Sequence, residues 1–178
     1  MSRGDKMKFS MDFGDTNFIG VANVKEYQSF VDEDWELDQL LNHFGSEMKK
    51  RNILVCQMTE EGIEHSWNVE VKIGTESDID TYFRKATGYI NVTNHQLYLV
   101  DYDCLTMAAQ FEDQLVPDKN CSKYRIDIKN GMYKLELIQF YNVDQDEYTG
   151  NDQTDLLLNF IKMEHVEETV DKVFWCTY

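Results

Sequence analysis

Two stretches of this chain gather carboxylates densely enough to do chemistry. Asp101, Asp103, Glu112 and Asp113 border the apolar run CLTMAAQF, and Asp144, Asp146, Glu147 and Asp152 fall within NVDQDEYTGNDQTD, which is almost wholly polar. Acids beside an apolar surface are what a glycosidase-like hydrolase uses, one carboxyl as general acid and the other as base or nucleophile. Acids in a loop serve instead to hold calcium or to attract a cationic partner. The EF-hand pattern fails here: counted from Asp144, the fifth position is Tyr148, the sixth is Thr149 where Gly is required, and the twelfth is Asp155 where Glu is required. Asp144, Asp146, Glu147 and Asp152 are therefore read as a partner-binding group, and Asp101, Asp103, Glu112 and Asp113 as the alternative acidic site.

Other chemistries find no foothold. His43, His65, His95 and His165 share no i, i+2 or i, i+4 spacing, so no strand or helix pair of metal ligands is indicated. Cys56, Cys104, Cys121 and Cys176 are scattered, with no CxxC pair, so the sequence indicates neither a zinc site nor a redox motif, and no cofactor is expected. There is no P-loop, GxGxxG or GxSxG, so a nucleotide enzyme or a nucleophile elbow is excluded as a reading. Trp35, Trp67 and Trp175 could stack a sugar, which keeps a carbohydrate-binding module as part of the alternative, but Trp67 alternates with apolar residues and reads as core. The balance favours a binding protein over an enzyme.

The chain has 178 residues, ordinary for one domain, and is 42% hydrophobic, enough for a core. A flexible N-terminal tail is expected over about residues 1–15, including an Arg3-Gly4-Asp5 triplet read as tail rather than adhesion motif. Seventeen Lys and Arg against 33 Asp and Glu give a formal charge of −16, which opposes direct binding to nucleic acid or an anionic membrane and favours a basic partner. No run of about 18 apolar residues is present and the first residues lack an apolar signal core, so a cytoplasmic protein with reduced cysteines is expected.

The elements that must position these acids are read from periodicity. Leu37, Leu40, Leu41, Phe44 and Met48 form one stripe of a helix over Asp34 to Arg51, capped by Asp32 or Asp34 and closed by Lys49, Lys50 and Arg51. Period-two alternation elsewhere predicts hairpins. Ile53 to Thr59 and Ile63 to Ile73 flank Glu61-Gly62, with Cys56 opposite Trp67. Tyr82 to Val92 and Gln96 to Tyr102 flank Thr93-Asn94-His95, with Ile90 opposite Leu99. The strongest signal is KYRIDIKNGMYKLELIQFY from Lys123 to Tyr141, where Asn130-Gly131 suits a type I′ turn and places Ile126 opposite Leu135 on a dry face, with Asp127 opposite Lys134 and Arg125 opposite Glu136 on a wet one. Strands are also expected over Asn17 to Val24, Leu156 to Met163 and Val170 to Tyr178, and a short helical stretch over Leu105 to Phe111. The fold class that follows is mainly β, with α+β as the near variant: an antiparallel β-sandwich built from hairpins, with one long amphipathic helix packed on it.

From Gly88 to Tyr141, GYINVTNHQLYLVDYDCL, a spacer ending near a proline, and YRIDIKNGMYKLELIQFY resemble the strand pattern of the bacterial competence protein J family, small cytosolic inhibitors of a DNA-entry nuclease. The same stretch resembles bacterial families grouped with immunity proteins of polymorphic toxins. The resemblance implies an inhibitor or immunity-type role towards a basic protein, a toxin or nuclease, and it transfers no individual inhibitory residue. Together with the charge, it makes an acidic cytosolic binding protein the expected function, with a hydrolase or carbohydrate-binding domain as the alternative.

Overall fold

A computed structural model describes residues 5–12 and 15–178. Its central strand is the one whose sequence, LLLNFIKM, is apolar on both sides of the pleat at its start. A strand covered on both faces needs such a run. This strand, Leu156–Met163, is flanked by Trp67–Gly74 and Gly131–Gln139, each of which has one further neighbour.

In chain order the strands are β1 (Asp5–Met11), β2 (Phe18–Ala22), β3 (Ile53–Gln57), β4 (Trp67–Gly74), β5 (Arg84–Val92), β6 (Gln96–Asp101), β7 (Arg125–Asp127), β8 (Gly131–Gln139), β9 (Tyr141–Asn142), β10 (Glu147–Tyr148) and β11 (Leu156–Met163). The helices are α1 (Leu37–Lys49) and α2 (Tyr102–Gln110). Strands hold 38% of the described residues against 13% for helices, so the fold is mainly β. One sheet has the order β1-β4-β11-β8-β5, a second β3-β2-β6-β7, and β9 and β10 form a small ribbon. The expectation of antiparallel pairing throughout is corrected among the described residues: β11 runs parallel to β4, and the isolated bridge between Cys56 and Phe174 is parallel as well. Inward residues of both larger sheets belong to one contiguous core cluster, and Ile138, Phe140 and Leu157 make a small second cluster with Ile79 and Tyr82.

None of the three expected hairpins forms. Each turn carries the chain from one sheet to the other. Cys56 of β3 pairs with Ile19 and Trp67 of β4 with Met11; Ile90 of β5 pairs with Tyr133 and Leu99 of β6 with Val21. Ile126 of β7 pairs with Leu97, while Leu135 of β8 lies between Gly88 and Phe160. Alternation reports which face of a strand is dry, and a dry face is equally satisfied by a lateral neighbour or by the sheet across the core. All six of these apolar residues are buried in the shared cluster. The wet-face pairs are corrected with them: Arg125 pairs with Asp127, Lys134 with Glu76, and Glu136 with Lys85.

α1 begins at Leu37, so Glu36 is the N-cap in place of Asp32 or Asp34, through a capping box with Gln39. Its stripe is buried at Leu40, Phe44 and Met48 as spacing requires. A second helix, α2, extends the short helical stretch back to Tyr102, its N-cap Asp101 accepting from the Cys104 N–H at 2.9 Å. Residues 5–11 of the expected tail form edge strand β1, whose Met11 is buried, whereas Arg3 and Gly4 lie outside the described residues. The expected last strand reduces to an isolated bridge between Phe174 and Cys56.

α1 docks so tightly that a Cβ at Gly45 would lie 2.2 Å from the Asp171 carbonyl oxygen. Alanine at a helix interior gains up to about 1 kcal/mol over glycine in propensity, but overpacking costs about 1–3 kcal/mol. Gly45→Ala is therefore expected to lower stability in urea melts, and a rise would show that residues 170–172 do not pack on α1.

Candidate functional site

One end of the molecule is organised by a carboxylate with no exposure. Asp155, immediately before β11, accepts from the His65 Nε2–H at 2.8 Å, the Asn68 N–H at 2.9 Å and the Tyr148 hydroxyl at 2.8 Å. Its own N–H donates to the Asn68 carbonyl, and its carbonyl accepts from Phe140. Burial pushes the carboxyl up, and the hydrogen bonds from His65, Asn68 and Tyr148 outweigh it, holding Asp155 below the ordinary carboxylate value. Around this knot the His65, Tyr141 and Tyr148 rings pack at a tilt, with His65 and Tyr141 centroids 4.6 Å apart and Tyr141 and Tyr148 4.5 Å apart, and Trp67 meets His65 edge to face. Burial and hydrogen bonding to Asp155 push the Tyr148 phenol up to about 12, and burial with Asp146 does the same to Tyr141, so both remain donors at physiological pH.

Beside His65 lies a cleft of about 690 Å³. Asp12, Asp15, Glu64 and Asp103 line it together with Ser66 and His65, and no Lys or Arg is among the described residues that do so. Asp103 reaches it from the first turn of α2 and accepts from the Asp15 N–H at 2.8 Å. Four carboxylates around one concavity focus negative potential into it.

The sequence-identified acids are distributed around this cleft unevenly. Asp144 is spent internally: its carboxylate accepts from the Thr59 hydroxyl and from the Glu60 and Glu61 N–H groups. Burial raises its carboxyl, and the Glu60, Thr59 and Glu61 hydrogen bonds, with the charge of Arg84, more than reverse this, so it sits below its ordinary value. By fixing the 59–61 turn it exposes Glu60 and Glu61 next to the cleft residues 62–66. Asp146, in the left-handed region at φ 51, accepts from the Tyr141 hydroxyl at 2.7 Å, and Glu147 and Asp152 are exposed. Of the alternative set, Asp101 is buried as the α2 N-cap and Asp103 lines the cleft, whereas Glu112 and Asp113 follow the other end of α2. Seven helical residues follow Asp103 before α2 ends, about 10 Å along the axis, so the structure does not bring the four together. Trp67 has no exposure, and Trp175 lies under the Arg84 guanidinium at 4.3 Å.

Sequence reading missed Asp12, Asp15, Glu64 and His65. The run Glu60-Glu61-Gly62-Ile63-Glu64-His65 was visible as charge, but a two-residue turn at Glu61-Gly62 absorbs it into a hairpin. Asp12 and Asp15 lie in the stretch expected to be tail.

No protein-family model and no curated protein matches the chain. Among solved structures, the chain shares its β-rich fold with one described as crocagin biosynthetic gene J, at a TM-score of 0.58 and 8% identity over 92% of this chain and 100% of the other. A second neighbour is ComJ from Bacillus subtilis, described as an inhibitor of the DNA-degrading activity of NucA, at a TM-score of 0.46 and 11% identity over 91% and 98% of the two chains.

Asp155→Asn should cost about 1.5–3 kcal/mol near neutral pH, the usual worth of hydrogen bonds to a charged acceptor. Because the folded-state value is depressed, Asp155 contributes its full stability above the ordinary 3.8 and loses it as pH falls through the lower folded value. The stability gap between wild type and Asp155→Asn, followed by urea melts, should stay constant above about pH 4 and narrow below it. A gap that ignores pH would show that the charge of Asp155 is not what stabilises the knot.

Proposed function

We propose that this protein is an acidic binding protein of the inhibitor or immunity type, acting in the cytoplasm, whose cleft end receives a basic protein such as a toxin or nuclease. The single observation that carries the reading is the cleft itself, with Asp12, Asp15, Glu64 and Asp103 around it and no cation among the described residues that line it. Carboxylates so placed can occupy the position of substrate phosphates in a basic partner's cleft and accelerate encounter through their field. The net charge of −16 extends the attraction beyond the contact surface. The resemblance read from Gly88 to Tyr141 supplies the class of partner.

In this reading Asp146, Glu147 and Asp152 add exposed charge to the field that draws the partner, and Asp144 acts indirectly by holding Glu60 and Glu61 outward. The two larger sheets with their common core are taken as a sandwich whose one end carries the binding loops. The hydrolase alternative gains little from the geometry: Asp101 is committed to a helix cap, and Asp155 is saturated by its three donors.

The test is capture with the full chain as bait at about 50 mM and again at about 200 mM salt, since screening shortens the reach of exposed charge over this range. A basic protein retained at the lower salt and released at the higher is the expected result, with its DNA-degrading or toxic activity suppressed on recombination. Replacing Asp12, Asp15, Glu64 and Asp103 by Asn or Gln should slow association and flatten its salt dependence. An unchanged association rate and salt dependence in that variant would overturn the assignment of the cleft.

A further inference from the structure

Two buried thiols meet where α2 starts. Cys104 stands in the first turn of α2, and Cys121 lies at the far end of the irregular 111–124 connection that leads to β7. Both are buried and unbridged. The turn at Cys121 is shaped by Asp118, whose Oδ1 accepts from the Cys121 N–H at 2.8 Å and whose carbonyl accepts from Ser122. One ligand atom from each of Cys104, Asp118 and Cys121 lies within 4.8 Å of the other two.

We propose that Cys104, Asp118 and Cys121 form a binding site for a zinc-class divalent cation, which ties the start of α2 to the 111–124 connection. Two sulfur ligands and one carboxylate suit zinc, or cobalt in its place, and not calcium or magnesium, which take oxygen alone. Tetrahedral zinc with sulfur at about 2.3 Å and oxygen at about 2.0–2.2 Å holds its ligand atoms about 3.5–3.8 Å apart, so only a small contraction closes the set. Asp101, whose carboxylate faces the Cys121 thiol, stands where it can take the fourth position or hydrogen-bond a water there. On uptake each thiol releases its proton to solvent, two protons for each ion, and the bonds formed are metal to sulfur, metal to sulfur and metal to oxygen. The connection of more than a dozen residues between α2 and β7 has no regular structure of its own, and a bond across it removes much of its freedom. Because Asp103 is adjacent to Cys104, the ion would also steady one wall of the cleft, but the site does not depend on what the cleft binds.

Cobalt(II) titration of the full chain, reduced and first treated with a chelator, tests this directly. The expected result is sulfur-to-cobalt charge-transfer absorption that saturates at a single equivalent, disappears when zinc is added, and is accompanied by a higher melting temperature. Cys121→Ser should remove the absorption and Asp118→Asn should weaken cobalt binding, while Cys176→Ser, away from the set, should leave both unchanged. If Cys121→Ser does not fold, Asp118→Asn decides, since unaltered cobalt affinity in that variant overturns the site. Absence of charge-transfer absorption in the reduced chain overturns it as well, as does the finding of a Cys104–Cys121 disulfide in protein purified under reducing conditions.

Discussion

A buried carboxylate with no partner would cost several kcal/mol, so Asp155 can exist at the head of β11 only if everything around it is arranged to donate. That requirement fixes three things together. The Asn68 N–H ties β11 to the start of β4 in the parallel register, the Tyr148 hydroxyl ties the β9–β10 ribbon to the sheet, and His65 is held with its Nε2–H pointed at the acid. The cleft wall at residues 62–66 thus depends on a hydrogen-bonding demand arising inside the sheet. Asp144 repeats the principle on a smaller scale, spending its charge on the backbone of residues 60 and 61 so that their side chains remain free.

How much of this was legible follows from what a period of two can say. It identifies the dry face of a strand, and at Ile126, Leu135, Ile90, Leu99, Cys56 and Trp67 that identification holds, because every one of these residues is in the core. It does not identify the neighbour. Asn130-Gly131 looks like a tight turn between paired strands, yet Asn130 instead accepts the His95 N–H at 2.7 Å, joining the two inter-sheet connections at that end. Long-range pairing of this kind leaves no local trace in composition or spacing. α1 was legible because its stripe is a local property, and its starting point was misjudged only because four carboxylates compete for the cap.

The candidate site was less legible than the fold. Charge density groups Asp103 with Asp101, two positions away, and carries nothing that separates the one lining the cleft from the one buried as a cap. Asp144 and Asp155 are equally acidic in the sequence and equally unavailable in the structure, since both are saturated by protein donors. The Cys104, Asp118 and Cys121 group is invisible at the level of spacing for a different reason: one thiol comes from a helix and the other two ligands from a loop that returns to it, so no fixed interval separates them.

The inter-sheet connections also shape how the chain must assemble. Among the described residues only β9 and β10 are sequence neighbours joined by a short turn and paired; every pairing in the two larger sheets joins strands distant in sequence. Such a topology has a high contact order, and the entropy of closing long loops must be met before any ladder returns energy, which slows folding. The order of synthesis sharpens the effect. β1 and β4 can pair early, but the other side of β4 has no partner until Leu156–Met163 has been made, and β8 too lacks one of its two neighbours until then. The nascent protein therefore carries the β1–β4 pair with an open edge from Gly74 onward and the β5–β8 pair for the shorter interval after Gln139, and the last strand to arrive is the one that joins them.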